Sequence, residues 1–231
     1  MNALGLLEFS DGLPLRSIRT LAKSSCIQSA LRLICNMSTH VLTPLGSEIF
    51  LVRNVLEPTL CQQIIQSVES AQFQAAGILI EKVDNQVRSN DLLQLGGRDE
   101  LSRSMNQLML SKLAIVQNLL FQSYGVKFPY AEPCSILRYR KGHFYKRHVD
   151  NILLSSRFQE VQEGIPTRDI SIVGYLNDGF EGGETFFDRQ NVTVQPEAGA
   201  VLAFPSYFTH PHASLPIRRG KKYAFTSWLF H

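Results

Sequence analysis

The chain has 231 residues, 44% of them hydrophobic, and a formal net charge of +3 at pH 7. This length can bury one substantial core, so we expect a single domain with an extension. A net charge this small gives no electrostatic reason to expect binding to nucleic acid or to a membrane surface. No apolar run is long enough to cross a bilayer. We therefore expect neither partner.

The first 44 residues are predicted to form an N-terminal extension. Between Gly12 and Gly46 the chain carries four basic side chains and no acidic one, a composition typical of an organelle transit peptide. Two other interpretations, which we favour, are a flexible tail and a true translation start at Met37. The four cysteines lack Cys-x-x-Cys spacing, which favours free thiols and a cytoplasmic protein over a disulfide framework or a zinc site.

Residues 45–129 are predicted to be a helical support region. Ile49–Val52 has the composition of a strand, and Pro58 is placed to open a helix. A second helix is predicted from about Asp99 to Ser123, with Gly125 ending it. Its predicted apolar stripe consists of Leu101, Met105, Leu108, Leu113, Val116, Leu119 and Leu120. The polar stretch 81–97 lacks a clear period and is predicted to be a loop that covers a site.

Residues 130–231 alternate short apolar runs with turn residues. Predicted strands cover 168–177, 184–187, 191–194, 199–204 and 222–230, with turns at Asp178-Gly179 and Gly182-Gly183. Several short strands with turn signals between them favour an antiparallel sandwich or jelly roll. The helices before them are expected to brace one sheet from outside. The predicted fold class is therefore mainly β with supporting helices.

His148-Val149-Asp150 is the motif that carries chemistry. Side chains two residues apart share one face of a strand, so this imidazole and carboxylate can meet one ion. Two imidazoles and one carboxylate on one side of a metal form the facial triad of non-haem iron(II) oxygenases, which leaves coordination positions open. The stretch Thr209-His210-Pro211-His212 offers the second imidazole, from His210 or His212. Taken alone, the His148 and Asp150 pair also fits an ordinary solvated strand.

From about Ser135 to Phe230 the sequence resembles the iron(II)- and 2-oxoglutarate-dependent oxygenases, specifically their prolyl 4-hydroxylase-like branch. The residues that carry the resemblance are Tyr139, Gly142, Tyr145, His148, Asp150, Tyr175-Leu176-Asn177, Gly182-Gly183-Glu184-Thr185, Pro196, Gly199, His212 to Pro216, Gly220 and Lys222. The resemblance implies a cupin-like double-stranded β-helix over residues 130–231. It also implies metal ligation by His148, Asp150 and His212.

The same resemblance implies how the cosubstrate is held. Lys222, rather than Lys221, would bind the far carboxylate of 2-oxoglutarate. Because lysine acts as a point charge, it needs hydroxyl groups to fix the geometry, and Tyr139 and Tyr175 are the candidates. Ordinary core packing remains the alternative for both tyrosines. The implied cofactors are Fe(II), 2-oxoglutarate and O2, with ascorbate as an activator.

The implied reaction is hydroxylation of an aliphatic carbon, most plausibly of a prolyl residue in a peptide or protein, with release of succinate and CO2. Related halogenating enzymes lack the carboxylate ligand, so Asp150 favours hydroxylation. The alternatives are a hydroxylase of a free amino acid or small metabolite, a metal-binding jelly roll without turnover, and a zinc hydrolase. Basic residues at 138, 140, 141, 146 and 147 predict either a charged outer face or a rim that attracts an acidic partner. Trp228 is interpreted as a core anchor.

Overall fold

The computed structural model describes residues 40–76, 86–151, 162–164 and 167–231 of the chain. The interpretations of residues 1–36, and the first part of the predicted covering loop, lie outside these residues. Within the described ranges, no helix combines the length and hydropathy that a membrane crossing requires.

A large antiparallel sheet, the major sheet, forms the centre of the described chain. Its strands in spatial order are β1 (Leu42–Gly46), β2 (Ile49–Val52), β12 (Val201–Pro205), β8 (Ile170–Tyr175), β15 (Lys222–Phe230), β6 (Ser135–Tyr139), β4 (Asp91–Gln94) and β3 (Gln74–Ala75). A further strand, β5 (Tyr130–Ala131), pairs with the end of β15. Because β1 to β4 precede residue 130, the predicted support region contributes strands as well as helices. Its domain boundaries remain a prediction.

A smaller sheet, the minor sheet, faces the major one. It contains β11 (Val192–Val194), β10 (Thr185–Phe187), β13 (His212–Ser214) and β7 (Tyr145–His148), and a separate pair joins β9 (Glu181–Gly182) to β14 (Ile217–Arg219). Apolar side chains from both sheets form a shared core that includes Tyr175, Phe187 and Phe204. Two facing antiparallel sheets around one core confirm the predicted jelly roll.

Two helices belong to the described chain, α1 (Pro58–Glu69) and α2 (Glu100–Tyr124). The Asp99 side chain accepts a hydrogen bond from the Ser102 backbone N–H, and Gly125 ends α2 in the left-handed conformation with φ of 68°. Both helices pack on the major sheet through a second core that includes Met109 and Phe225. The predicted bracing role is therefore confirmed.

Two residues of the predicted α2 stripe do not face the core. Leu101 is 62% exposed and Leu108 is 39% exposed. Helical periodicity places them near the stripe, but its buried positions are Met105, Met109, Leu113, Val116 and Leu120. α2 therefore carries more apolar residues than the face that packs on the major sheet can bury.

The predicted covering loop over 81–97 is only partly testable. Residues 81–85 lie outside the described ranges, while Asp91–Gln94 form β4 and pair with β6. This second half was therefore misassigned as loop. Between the two parts, the backbone N–H of Ser89 donates to Phe144 and that of Lys146 donates to Val87. Residues 87–89 thus lie beside β7, the strand that carries His148.

Candidate metal centre

The minor sheet brings the two histidines of the predicted triad together. β7 and β13 are antiparallel neighbours, and His148 is the direct register partner of His212. Facing residues in an antiparallel pair have Cβ atoms about 4.5–5.5 Å apart, which places both imidazoles over one point of the sheet. Their ring centroids are 4.3 Å apart.

Asp150 reaches the same point from beyond the strand. We had predicted that Asp150 shares a strand face with His148, but β7 ends at His148 and Asp150 lies in the bend that follows. Its Oδ1 lies 3.2 Å from His148 Nε2, and its Oδ2 lies 3.8 Å from His212 Nε2. One donor atom from each of the three residues lies within 4.8 Å of the other two. This spacing is compatible with a single shared ion.

The imidazoles are oriented so that both Nε2 atoms face the carboxylate. His148 Nδ1 donates to the carbonyl of Lys146 at 2.8 Å, and His212 Nδ1 donates to the carbonyl of His210 at 3.2 Å. A neutral imidazole that donates through Nδ1 has its lone pair on Nε2, which is the form that binds a metal. Tyr145 stacks on His148 with ring centroids 3.5 Å apart, and the guanidinium of Arg88 lies over the Tyr145 ring, 4.6 Å from its centroid.

The protonation states fit a cation. Burial alone would raise the pKa of Asp150, but His212, His148 and the Ser171 hydroxyl outweigh it and hold that pKa below its usual range. Burial lowers the pKa of His212 to about 4, although Asp150 attracts the protonated form. At neutral pH the site therefore combines an ionised carboxylate with a neutral His212. A buried negative charge of this kind needs a positive partner, and the donor set is the one that iron(II) oxygenases use.

His210, the alternative ligand, points elsewhere. Its Nε2 donates to the carbonyl of Ser47 at 2.6 Å, and the hydroxyl of Thr209 lies 2.9 Å from its Nδ1. Both ring nitrogens are thus engaged away from Asp150. Of the two histidines in this loop, the structure brings His212 to the cluster.

A buried ammonium occupies the same barrel. Lys222 opens β15 and is 2% exposed. Its Nζ donates to the carbonyl of Gly183 at 2.6 Å and lies 3.3 Å from the Ser214 hydroxyl. Burial lowers the pKa of Lys222 to about 7, opposed by the nearby charge of Glu184. Among the described residues, no carboxylate forms an ion pair with this ammonium, so the pocket is suited to an anion.

Gly183 is required for this arrangement. Its φ is +71°, and a Cβ there would lie 2.5 Å from Cδ1 of Ile217 and 3.2 Å from Cδ of Lys222. Any side chain at position 183 would therefore crowd the methylene groups of Lys222 that pack beside it. The Gly182-Gly183 turn predicted from the sequence therefore also shapes the anion pocket.

The two predicted tyrosines flank Lys222 without bonding to it. Its Nζ lies 5.1 Å from the ring centroid of Tyr139 and 5.5 Å from that of Tyr175. Burial raises the pKa of both phenols, to about 12 for Tyr139. The hydroxyl of Tyr175 pairs with that of Thr185 at 2.9 Å. Their predicted role as cosubstrate helpers remains a prediction, and both hydroxyls lie inside the pocket.

Sequence reasoning missed two polar residues of this pocket. Ser214 and Thr185 are register partners on β13 and β10, and they contact Lys222 and Tyr175 respectively. The signal was present, because Ser214 follows His212 by two residues and therefore shares its strand face.

Most of the predicted basic rim is neutralised. Arg138 and Arg140 both pair with Asp91, and Arg147 pairs with Asp188. These contacts favour the charged outer face over the acidic-partner interpretation. Arg168, a further basic residue of this region, pairs with Glu132.

Comparison with known proteins identifies the barrel. A family model described as the 2OG-Fe(II) oxygenase superfamily matches residues 134–230, which include all the predicted ligands and Lys222. Residues 134–230 of this chain are therefore similar to the 2OG-Fe(II) oxygenase superfamily. This similarity implies Fe(II) and 2-oxoglutarate as cofactor and cosubstrate, and the donor set and the buried cation described above fit both.

The relatives found carry the names of prolyl hydroxylases. A protein of Acanthamoeba polyphaga mimivirus whose name assigns it to the prolyl 4-hydroxylases is 29% identical over 192 residues, 78% of this chain and 72% of that protein. Human prolyl 3-hydroxylase 2 is 36% identical over 89 residues, 35% of this chain. The matched segment spans only 13% of that human protein.

Solved structures show the same fold. A Trichoplax adhaerens prolyl hydroxylase, in complex with a hypoxia inducible factor peptide fragment, aligns with a TM-score of 0.62 and 20% identity over 90% of this chain and 93% of that one. A Pseudomonas putida prolyl-4-hydroxylase aligns with a TM-score of 0.59 and 21% identity, over 87% of this chain and 98% of that one. The viral collagen prolyl hydroxylase of Paramecium bursaria Chlorella virus-1, in its 2-oxoglutarate complex, aligns with a TM-score of 0.58 and 19% identity. The alignment covers 80% of this chain and 96% of that one.

Proposed function

We propose that this chain hydroxylates an aliphatic carbon of a prolyl residue in a peptide or protein, using Fe(II), O2 and 2-oxoglutarate and releasing succinate and CO2. The observation that carries the proposal is the pairing of a facial His148–Asp150–His212 cluster with a buried Lys222 in one barrel. The relatives named as prolyl hydroxylases support the prolyl substrate.

The three ligands act by holding the metal on one flank. His148 and His212 present their Nε2 atoms, and Asp150 supplies the negative charge. When bound, Fe(II) and 2-oxoglutarate supply the oxygen-dependent chemistry that converts an aliphatic C–H bond into an alcohol and the cosubstrate into succinate and CO2. Because Asp150 fills the position that a halide would take, the ligand set favours hydroxylation over halogenation.

Lys222 selects the cosubstrate by its charge. Its ammonium lies on neutral partners, the Gly183 carbonyl and the Ser214 hydroxyl, so an entering carboxylate gains a charge partner without displacing one. The hydroxyls of Tyr175 and Thr185 lie beside the same pocket and would fix the direction of that carboxylate. Apolar rings around His212, from Phe187 and Phe204, exclude water from the metal flank.

The experiment is an aerobic incubation of the protein with Fe(II), 2-oxoglutarate and a panel of proline-containing peptides and free amino acids. Succinate release and a one-oxygen mass gain on a peptidyl proline are the expected results. The His212→Ala variant should lose both signals. The matched control is His210→Ala, which removes the neighbouring buried imidazole that bonds to Ser47, and it should retain them.

Other outcomes of the same incubation separate the alternatives. Oxidation of a free amino acid or another small molecule, with peptides untouched, would assign a metabolite hydroxylase. Metal binding without any consumption of 2-oxoglutarate would contradict the proposal and indicate a non-catalytic metal-binding jelly roll. We also propose that ascorbate acts as an activator by keeping the iron ferrous, which its omission tests, and that the protein works in the cytoplasm, which fractionation tests.

A further inference from the structure

Arg168 makes three different contacts beside the metal centre. It lies just before β8, and its Nε and Nη2 donate to the two carboxylate oxygens of Glu132 at 2.6 and 2.8 Å. Its Nη1 donates to the main-chain carbonyl of Asp150 at 3.1 Å. A planar guanidinium can serve both partners at once because its five N–H donors lie in a fixed fork.

Contacts other than the one with Asp150 also fix the position of the guanidinium. Its Cζ lies 3.6 Å from the ring centroid of Trp228, so the indole packs against the face of the fork. The partner Glu132 is itself fixed, since its backbone N–H donates to the carbonyl of Trp228 and its carbonyl accepts from the Ser227 hydroxyl. The side chains of Arg168 and Glu132 are only 26% and 19% exposed. Arg168 is therefore anchored to β15 of the major sheet.

Asp150 depends on contacts of this kind. The strand ladder of β7 ends at His148, so regular sheet bonding does not fix the backbone of the carboxylate ligand. The Asp150 carbonyl is held by Arg168, and the next backbone N–H, that of Asn151, donates to the carbonyl of Ser206 at 2.9 Å. Both anchors lie next to strands of the major sheet, Arg168 just before β8 and Ser206 just after β12.

We propose that Arg168 is a positioning residue for the metal ligand Asp150. By holding the main-chain carbonyl, the guanidinium directs the carboxylate at His148 and His212 and keeps it there in the metal-free protein. The inference rests on the proposed function only in that these three residues hold the metal. Partners that orient a metal ligand typically change metal affinity 10- to 100-fold when they are removed. A role confined to folding would change stability and leave that affinity unaltered.

The test measures cobalt(II) binding to the full chain under anaerobic conditions, without 2-oxoglutarate, by the visible absorbance of the bound ion. Arg168→Met keeps much of the apolar stem but removes all donors, and it should weaken cobalt(II) binding roughly tenfold. The absorbance envelope should also change, because a displaced carboxylate alters the ligand field. Urea unfolding of the metal-free protein reports the loss of stability separately.

The chain offers a matched control. Arg138 also pairs with a carboxylate, Asp91 at 3.0 Å, and lies 4.0 Å from the ring centroid of Phe73, but it does not bond to Asp150. Arg138→Met should lose a comparable free energy of unfolding while its cobalt(II) affinity stays within twofold of the unsubstituted protein. A parallel fall in affinity for both variants would overturn the positioning role.

A second variant protects the test against misfolding. Arg168→Lys keeps the charge opposite Glu132 but cannot bridge both partners, so it should weaken cobalt(II) binding by a smaller factor. If cobalt(II) affinity and the absorbance of the bound ion were unchanged in both Arg168→Lys and Arg168→Met, the proposal would be refuted. Weaker binding of a peptide substrate by these variants would not rescue it. If His148→Ala still bound cobalt(II) normally, the proposed metal site itself would be wrong, which distinguishes the two failures.

Discussion

Replacing Lys222 by methionine removes the buried ammonium while keeping a linear side chain of similar length. We expect Lys222→Met to bind 2-oxoglutarate much more weakly and to retain its metal affinity. Lys222 is 2% exposed, and its ammonium bonds to the Gly183 carbonyl and the Ser214 hydroxyl. Because it forms no ion pair with a carboxylate of the described residues, the change leaves none of those carboxylates unpaired.

The magnitude follows from the contacts. A hydrogen bond to a charged group contributes about 1.5–3 kcal/mol, so 2-oxoglutarate affinity should fall roughly 10- to 150-fold. Burial lowers the pKa of Lys222 from 10.5 to about 7, which corresponds to about 5 kcal/mol of unfavourable desolvation. Because the folded pKa is the lower one, this destabilisation is complete below pH 7 and fades as the pH rises towards 10.5. At pH 6 the variant should therefore be more stable than the unsubstituted protein.

The assay is anaerobic titration of the metal-loaded protein with 2-oxoglutarate, followed by calorimetry or by the chelate absorbance. The control is Lys221→Met, since the neighbouring lysine is 53% exposed and pairs with Glu69 on the outer surface. A 2-oxoglutarate affinity within threefold of the unsubstituted protein would refute the role of Lys222. Equal losses of metal and cosubstrate affinity would show that the lysine supports the barrel rather than the anion.

The remaining predictions concern pH, the metal and packing. For the unsubstituted protein, 2-oxoglutarate affinity should fall roughly 5- to 30-fold from pH 7 to pH 9, because the charged ammonium of Lys222, whose pKa is about 7, strengthens binding; a calorimetric profile as flat as that of Lys222→Met would contradict this. Asp150→Ala should weaken cobalt(II) binding by more than about 100-fold in an absorbance titration, since it removes the charged ligand rather than a supporting group. Gly174→Ala would place its Cβ 1.9 Å from Cε1 of Phe225, so the free energy of unfolding should fall by about 1–3 kcal/mol in urea. Gly179→Ala, with open space around the new Cβ, is its control.

The helices show how far local pattern reaches. Asp99 and Gly125 act within their own turns, so the ends of α2 could be predicted to within a residue or two. Leu101 and Leu108 could not be placed, because their exposure depends on how far the major sheet extends beneath the helix. The same limit applied to Asp91–Gln94, part of the segment predicted to be a loop, which forms a strand by pairing with β6.

The metal centre divides in the same way. His148 and Asp150 are two residues apart, and the family resemblance selected His212 over His210 before any geometry was known. That Asp150 lies beyond the end of β7 could not be predicted, since strand ends depend on the partner strand. Nor could the partners of Lys222, because Ser214 and Gly183 reach it only through the pairing of distant segments.

By itself, the sequence determined the class of fold, the donor types and the presence of a cation on the last strand, because alternation, turn residues and motif order are local properties of the chain. The tertiary structure alone decided which groups surround those donors. Arg168 and Glu132 are 36 residues apart, and they meet only because β8 and β15 lie side by side in the major sheet. Contacts of that kind arise from the register of strands that are distant in the chain, and the local sequence pattern does not specify that register.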